Sequence, residues 1–289
     1  MTPLALALVL LAASLHTSWN LLIKSIPERA LVSGWAMLIG SLFFMPTLVM
    51  HWPLPTLIWP YVIASTIVEI AYMLLLSSAY RYGDFSVVYP IARGAAPALI
   101  ACWAALFLGE KPGTIGLLGL GAIILGLATV GSEHLLTRSN RSDQRPIQGL
   151  ALMLALSVAI MISIYSTIDA AAVKLVNPLA YTTLIFFTTG LGQTALLIRH
   201  RGLSSAITVL VQYRWRTIAV GLLMLGAYLI VLQVYATSTV SYAAALREVS
   251  ILMSALVGWR FLGERFGPAR LLGSALIVGG IVLIASAPR

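Results

Sequence analysis

The chain has 289 residues, of which 60% are hydrophobic and only 9% charged, with a net charge of +9 and a mean hydropathy of +0.97. An ordinary soluble domain is about a quarter charged, so a water-facing surface over this length is excluded and the solvent is a lipid bilayer. The positive balance does not point to nucleic acid, because the eighteen basic residues fall mostly in short stretches between apolar runs, the placement that orients a membrane protein.

Ten segments reach the ~20 mostly apolar residues that a spanning helix needs: 3–23, 31–50, 58–80, 86–108, 113–132, 147–167, 179–198, 217–235, 240–262 and 268–286. The first has signal-peptide length. No basic residue precedes it, however, and its continuation HTSWNLLIK is unlike a small-residue cleavage site, so it reads as a retained span. It offers His16, Trp19 and Asn20 and ends at Lys24. Between the second and third spans, Trp52, Trp59 and Tyr61 sit among prolines and read as an interfacial belt. The third span carries Glu69, Tyr72 and Tyr80, and the fourth carries Tyr89 and Arg93. Pro90 and Pro97 flank Arg93, and each removes a backbone donor, which favours a bend there. Cys102, the only cysteine, excludes an intrachain disulfide and reads as buried packing.

The fifth span is rich in glycine, which lets helix backbones approach closely in a membrane. The Arg-rich stretch 133–146 reads as a linker. The sixth span carries Tyr165 and runs out at Asp169, a counterpart of Lys24 with opposite sign. A second polar connection, 199–216, is too short to fold alone. The eighth span brings Tyr228 and Gln233, and the ninth brings Tyr242, Arg247 and Glu248 without a proline.

The second half repeats the first. RGAAPALIACWAALFLGEKPGTIGLLGLGAIILG from Arg93 aligns with REVSILMSALVGWRFLGERFGPARLLGSALIVGG from Arg247, and Glu110 and Glu264 are also 154 residues apart. The expected organisation is a five-helix repeat over 1–132, a linker over 133–146 and a second five-helix repeat over 147–289. An odd number of spans per copy inverts the second copy relative to the first. The expected fold is all-α integral membrane: ten transmembrane helices as two inverted repeats around a central cavity. Twelve basic residues lie in loops after odd-numbered spans, against Lys111, Lys174 and Arg289 on the other face. This puts the linker face in the cytoplasm and both termini outside.

An ionised group at the bilayer centre costs about 3 kcal/mol on the gentlest scales, so such groups face a cavity or a partner. Here they are His16, Glu69, Arg93, Arg247 and Glu248, with Arg93 and either Glu248 or Glu69 as a cross-repeat pair. One reading is a buried ion network that fixes helix packing; the other is a polar transport path. Together with Trp19, Asn20, Tyr72, Tyr80, Tyr89, Tyr165, Tyr228, Gln233 and Tyr242 they form the candidate substrate cavity. Flat apolar walls with hydrogen-bonding tips suit small amphipathic solutes. No GxSxG, HExxH or Walker motif occurs, and GLLGLGAIILG lacks the spacing of a dinucleotide loop. No enzyme activity, metal or cofactor is expected. The proton-carrier candidates are Glu69, Glu248 and His16.

The runs WNLLIK (19–24), ALFLGEKPGTIGLLGLGAIILG (105–126) and RFLGERFGPARLLGSALIVGG (260–280) occur in order and doubled. In them the chain resembles the EamA-type branch of the drug/metabolite transporter superfamily, whose members include YddG-like amino acid exporters. The resemblance covers essentially the whole chain. It implies a basket-like bundle whose cavity is lined by spans one, three, four, six, eight and nine. It also implies cytoplasmic termini, against the charge distribution. The expected protein is a secondary transporter of a small metabolite in a bacterial inner membrane, an amino acid exporter working by alternating access. Its expected partners are the substrate, the lipid bilayer and coupling protons, with no nucleic acid and a monomeric chain. Two rivals stand beside it. A proton-coupled exporter of cationic drugs or other metabolites predicts an unpaired carboxylate in the cavity. A non-transporting structural or sensory membrane subunit predicts a dry, filled interior.

Overall fold

In lipid the backbone polar groups must be satisfied within the protein, and an α-helix does this inside each segment. The computed structural model describes residues 2–24, 26–82, 85–139, 149–253 and 268–287. Among them every regular element is helical: α1 (Pro3–Lys24), α2 (Arg29–Met50), a 3₁₀ turn (Thr56–Ile58), α3 (Trp59–Tyr82), α4 (Phe85–Phe107), α5 (Thr114–Ser139), α6 (Gly149–Ala172), α7 (Pro178–Arg201), α8 (Leu203–Thr237), α9 (Val240–Arg247) and α10 (Pro268–Ser286). Residues 249–253 are helical as well. Six described stretches are long and apolar enough to cross a membrane: Pro3–Ile23, Arg29–Met50, Thr56–Leu76, Gly149–Ala172, Pro178–Arg201 and Arg214–Thr237. Ala92–Phe107, Thr114–Thr129 and Leu271–Ser286 are shorter apolar stretches.

The distribution of polarity is inside out. Large apolar side chains such as Phe43, Leu106, Leu118 and Leu271 face outward, while Ser163, Thr182, Asp169 and Glu248 are fully buried. Lipid tails take the apolar side chains at no cost, and the polar groups gather where they find partners.

Helix α5 extends over 133–139; it needs helix propensity but not hydrophobicity once it leaves the apolar zone. Three expectations are corrected. The 199–216 connection is mostly helix. Gly202, at φ +84°, ends α7 and α8 starts at once, with a kink at Tyr213. The arm 203–212 folds because Ala206 and Val209, one turn apart, bury against α2, and Trp35 Nε1 donates to Ala206 O at 3.1 Å. The ninth span is not one helix: α9 stops at Arg247, Glu248 sits in a turn (φ −73°, ψ −3°), and helix resumes. No proline marks that break, whereas α4 runs as one helix through both of its prolines. Cys102 is exposed rather than buried, on the outward face that also carries Ala105 and Leu106.

The helices pack most closely as α5 with α10, α2 with α7 and α8, α6 with α3 and α4, and α1 with α8, and α4 also meets α9. The α5–α10 contact is built on glycine. A Cβ on Gly280 would lie 2.6 Å from Gly119 O, and one on Gly126 would lie 2.6 Å from Gly273 O. The two helices therefore run antiparallel with backbones touching at two points. Gly280→Ile is expected to force them apart and cost about 1–3 kcal/mol, read as a lowered midpoint in thermal unfolding in detergent. An unchanged midpoint would show that the crossing yields freely.

Candidate functional site

The charged spans converge on one chamber. His16 and Trp19 come from α1, Glu69 and Tyr72 from α3, Arg93 from α4, Tyr165 from α6, Phe186 from α7, Tyr228 from α8 and Arg247 from α9. The inner chamber has a volume of about 60 Å³. It continues through His16, Trp19, Tyr72 and Arg93 into a vestibule of about 300 Å³ that adds Asn20, Glu28, Arg29, Gln193 and Arg201. The vestibule thus opens at the α1–α2 corner and the end of α7, where Arg201 pairs with Glu28. Away from that mouth the interior is filled by Val9, Tyr235 and Ala243 to Leu246, all fully buried.

One wall is cationic. Glu248, fully buried, bridges two guanidinium groups: Arg93 Nε lies 2.8 Å from its Oε2 and Arg247 Nε 3.3 Å from its Oε1. Arg247, a chamber-lining residue, is 4% exposed, and its Nη2 is a buried donor with no hydrogen-bond partner. Arg93 Nη2 also lies 3.3 Å from His16 Nε2, while Trp19 Nε1 lies 3.2 Å from His16 Nδ1. A neutral imidazole accepts at one nitrogen only, so one of these contacts brings two donors together.

The other wall carries Glu69, and Asp169 is fully buried outside the chamber lining. Glu69 accepts from Thr189 Oγ1 at 2.8 Å. Asp169 accepts from Tyr181 OH at 2.8 Å and from Tyr228 OH. All these donors are neutral. Between the walls stand aromatic rings: Tyr72 and Tyr165 have centroids 5.8 Å apart, Tyr165 and Tyr228 6.3 Å, and Phe186 and Tyr228 5.7 Å.

The sequence-derived set divides accordingly. His16, Trp19, Glu69, Tyr72, Arg93, Tyr165, Tyr228 and Arg247 lie on the inner chamber, Asn20 on the vestibule, and Glu248 behind the two arginines. Gln233 is exposed. Tyr242 lies over Gly116, where an added Cβ would meet its ring, and neither residue is on the chamber wall. Each is five positions from a chamber residue, Tyr228 or Arg247, and so about 140° around the helix. The side chains of Tyr80 and Tyr89 lie outside the described residues. Phe186 on the chamber wall, and Asp169 and Thr189 buried outside its lining, were not in the expected site set. Asp169 carried a signal, an acid at the end of an apolar run, which the expected span end at 167 left in a loop.

The sequence model of the EamA-like transporter family matches residues 3–132 and 149–286. A protein of Bacillus subtilis (strain 168), named "Uncharacterized transporter YwfM", is 26% identical over 270 residues, which is 90% of this chain and 83% of that protein. A solved crystal structure superposes with a TM-score of 0.73 at 16% identity, covering 98% of this chain and 96% of the other; that likeness bears on the fold alone.

Proposed function

This chain belongs to the EamA-like transporter family and is a multi-pass membrane transporter of small molecules, and from that premise we propose that it exports an amino acid by alternating access. The observation that carries the reading is the chamber itself. The Arg247 guanidinium, paired with Glu248 through Nε but with no partner at Nη2, suits the substrate carboxylate, Glu69 suits its ammonium, and the rings of Trp19, Tyr72, Tyr165, Phe186 and Tyr228 suit an apolar side chain. Together with the vestibule, the volume sits at the lower end of small-ligand pockets.

The charge distribution supports the direction. The mouth lies on the face with Arg29 and Arg201, the Arg-rich side that the positive-inside rule assigns to the cytoplasm. Loading from that side is export, with both termini outside, in a bacterial inner membrane. Alternating access here rests on two inverted five-helix units, 1–132 and 147–289, joined by 133–146. Supporting that arrangement, Gly119–Gly280 and Gly126–Gly273 are the same contact under the 154-residue offset, in helices that run antiparallel. Both units are fused in one chain, so a monomer suffices.

Counterflow of pooled labelled amino acids into proteoliposomes tests the substrate. Accumulation of at least one amino acid above protein-free vesicles is expected. No amino acid counterflow, with acid-driven movement of lipophilic cations instead, would replace this reading with the cationic-drug one, for which Glu69 is the carboxylate in place.

A further inference from the structure

We infer that Glu110 latches the end of the bundle opposite the vestibule and positions Arg247 through α9, an inference that rests on the transporter reading above. The latch is built from the end of α4. Leu108 N and Glu110 N both donate to Ala104 O, at 3.0 and 3.1 Å, around Gly109 at φ +66°. That left-handed turn suits glycine and closes a helix end. It sends Glu110 across to the second half of the chain. There its Oε1 accepts from Val240 N, and its Oε2 accepts from Ser241 N at 3.2 Å and Ser241 Oγ at 2.7 Å.

These are the first amides of α9, whose own N-cap residue, Thr239, makes no side-chain cap. A carboxylate taken from another element fills the place that a local Ser or Asp normally holds, and its charge favours the positive end of the helix. The far end of the same eight-residue helix carries Arg247 into the chamber, and the chain breaks at Glu248 just beyond. Every residue of α9 is buried. A short helix tied at one end by three hydrogen bonds and at the other by an ion bridge shifts as a unit. The α4–α5 corner meets α9 at the end away from the mouth. Opening that end parts Glu110 from Val240 and Ser241 and carries Arg247 with the released helix. Glu110 does not line the chamber; it is a positioning residue.

The test uses the full chain in nanodiscs, in a Cys102→Ser background with Ala243→Cys, a fully buried α9 site, as reporter for a membrane-impermeant maleimide. Glu110→Ala is expected to raise the labelling rate about tenfold, the scale of losing a strong cap. Glu110→Gln, which keeps one accepting oxygen and the shape of the side chain, is expected to give about threefold, and it carries the test if the alanine variant does not fold. Adding Thr239→Asp to Glu110→Ala supplies a local cap. Thermal stability is expected to return while labelling stays fast, because the tether is still missing. Restoration of both by Thr239→Asp, or no change in labelling on loss of Glu110, overturns the latch. Absence of amino acid counterflow by the unaltered chain overturns the substrate assignment and leaves the labelling result standing.

Discussion

Arg247→Ala is expected to lower amino acid counterflow about a hundredfold while the protein still folds. Truncating one partner of a buried charged contact costs about 2–5 kcal/mol, and 2.7 kcal/mol is two decades. Folding survives because Glu248 keeps Arg93 at 2.8 Å, so no carboxylate is stranded. What disappears is the unsatisfied Nη2 donor of a chamber-lining residue. Arg247→Lys is expected to recover only part of the flux, since a point charge lacks the guanidinium fork. Counterflow in proteoliposomes, normalised to monodisperse protein, checks both variants. Full flux in a folded Arg247→Ala protein would remove the anchor from the reading.

Glu248→Gln is expected to be the most destabilising single change in the chamber. It leaves two guanidinium groups, each 4% exposed, without their shared counter-charge. Breaking a buried ion pair by removing one partner costs about 3–5 kcal/mol. Replacing all three members by apolar residues of similar volume removes the desolvation penalty together with the attraction. Arg93→Met, Arg247→Met and Glu248→Leu combined are therefore expected to regain most of the stability and none of the flux. Thermal unfolding in detergent beside counterflow separates the two effects. A Glu248→Gln protein as stable as the parent would show that the bridge holds nothing in place.

The apolar runs were legible because their length is set by the bilayer, and they located the helices to within a few residues at most ends. Arg93, Arg247 and Glu248 were legible for a related reason: a charge in such a run is expensive enough to demand a cavity or a partner. Which acid met Arg93 was not legible, because side-chain partners are set by helix packing across about 150 residues of sequence. Gln233 and Tyr242 were drawn in by residue type, although helical phase turns them away from the chamber. The break at Glu248 had no proline or glycine to announce it. The arm at 203–212 was hidden by the arginines on either side of it, which masked the one-turn spacing of Ala206 and Val209.

The outward placement of Cys102 has a practical consequence. A native chain with a single exposed thiol accepts one spin label or fluorophore at one address, without any substitution. That address is on α4, two and a half turns from Arg93 on the same helix. A lipid-phase probe attached there reads out tilt of the very rod that bears one side of the cationic bridge, and it does so from outside, where it displaces no cargo.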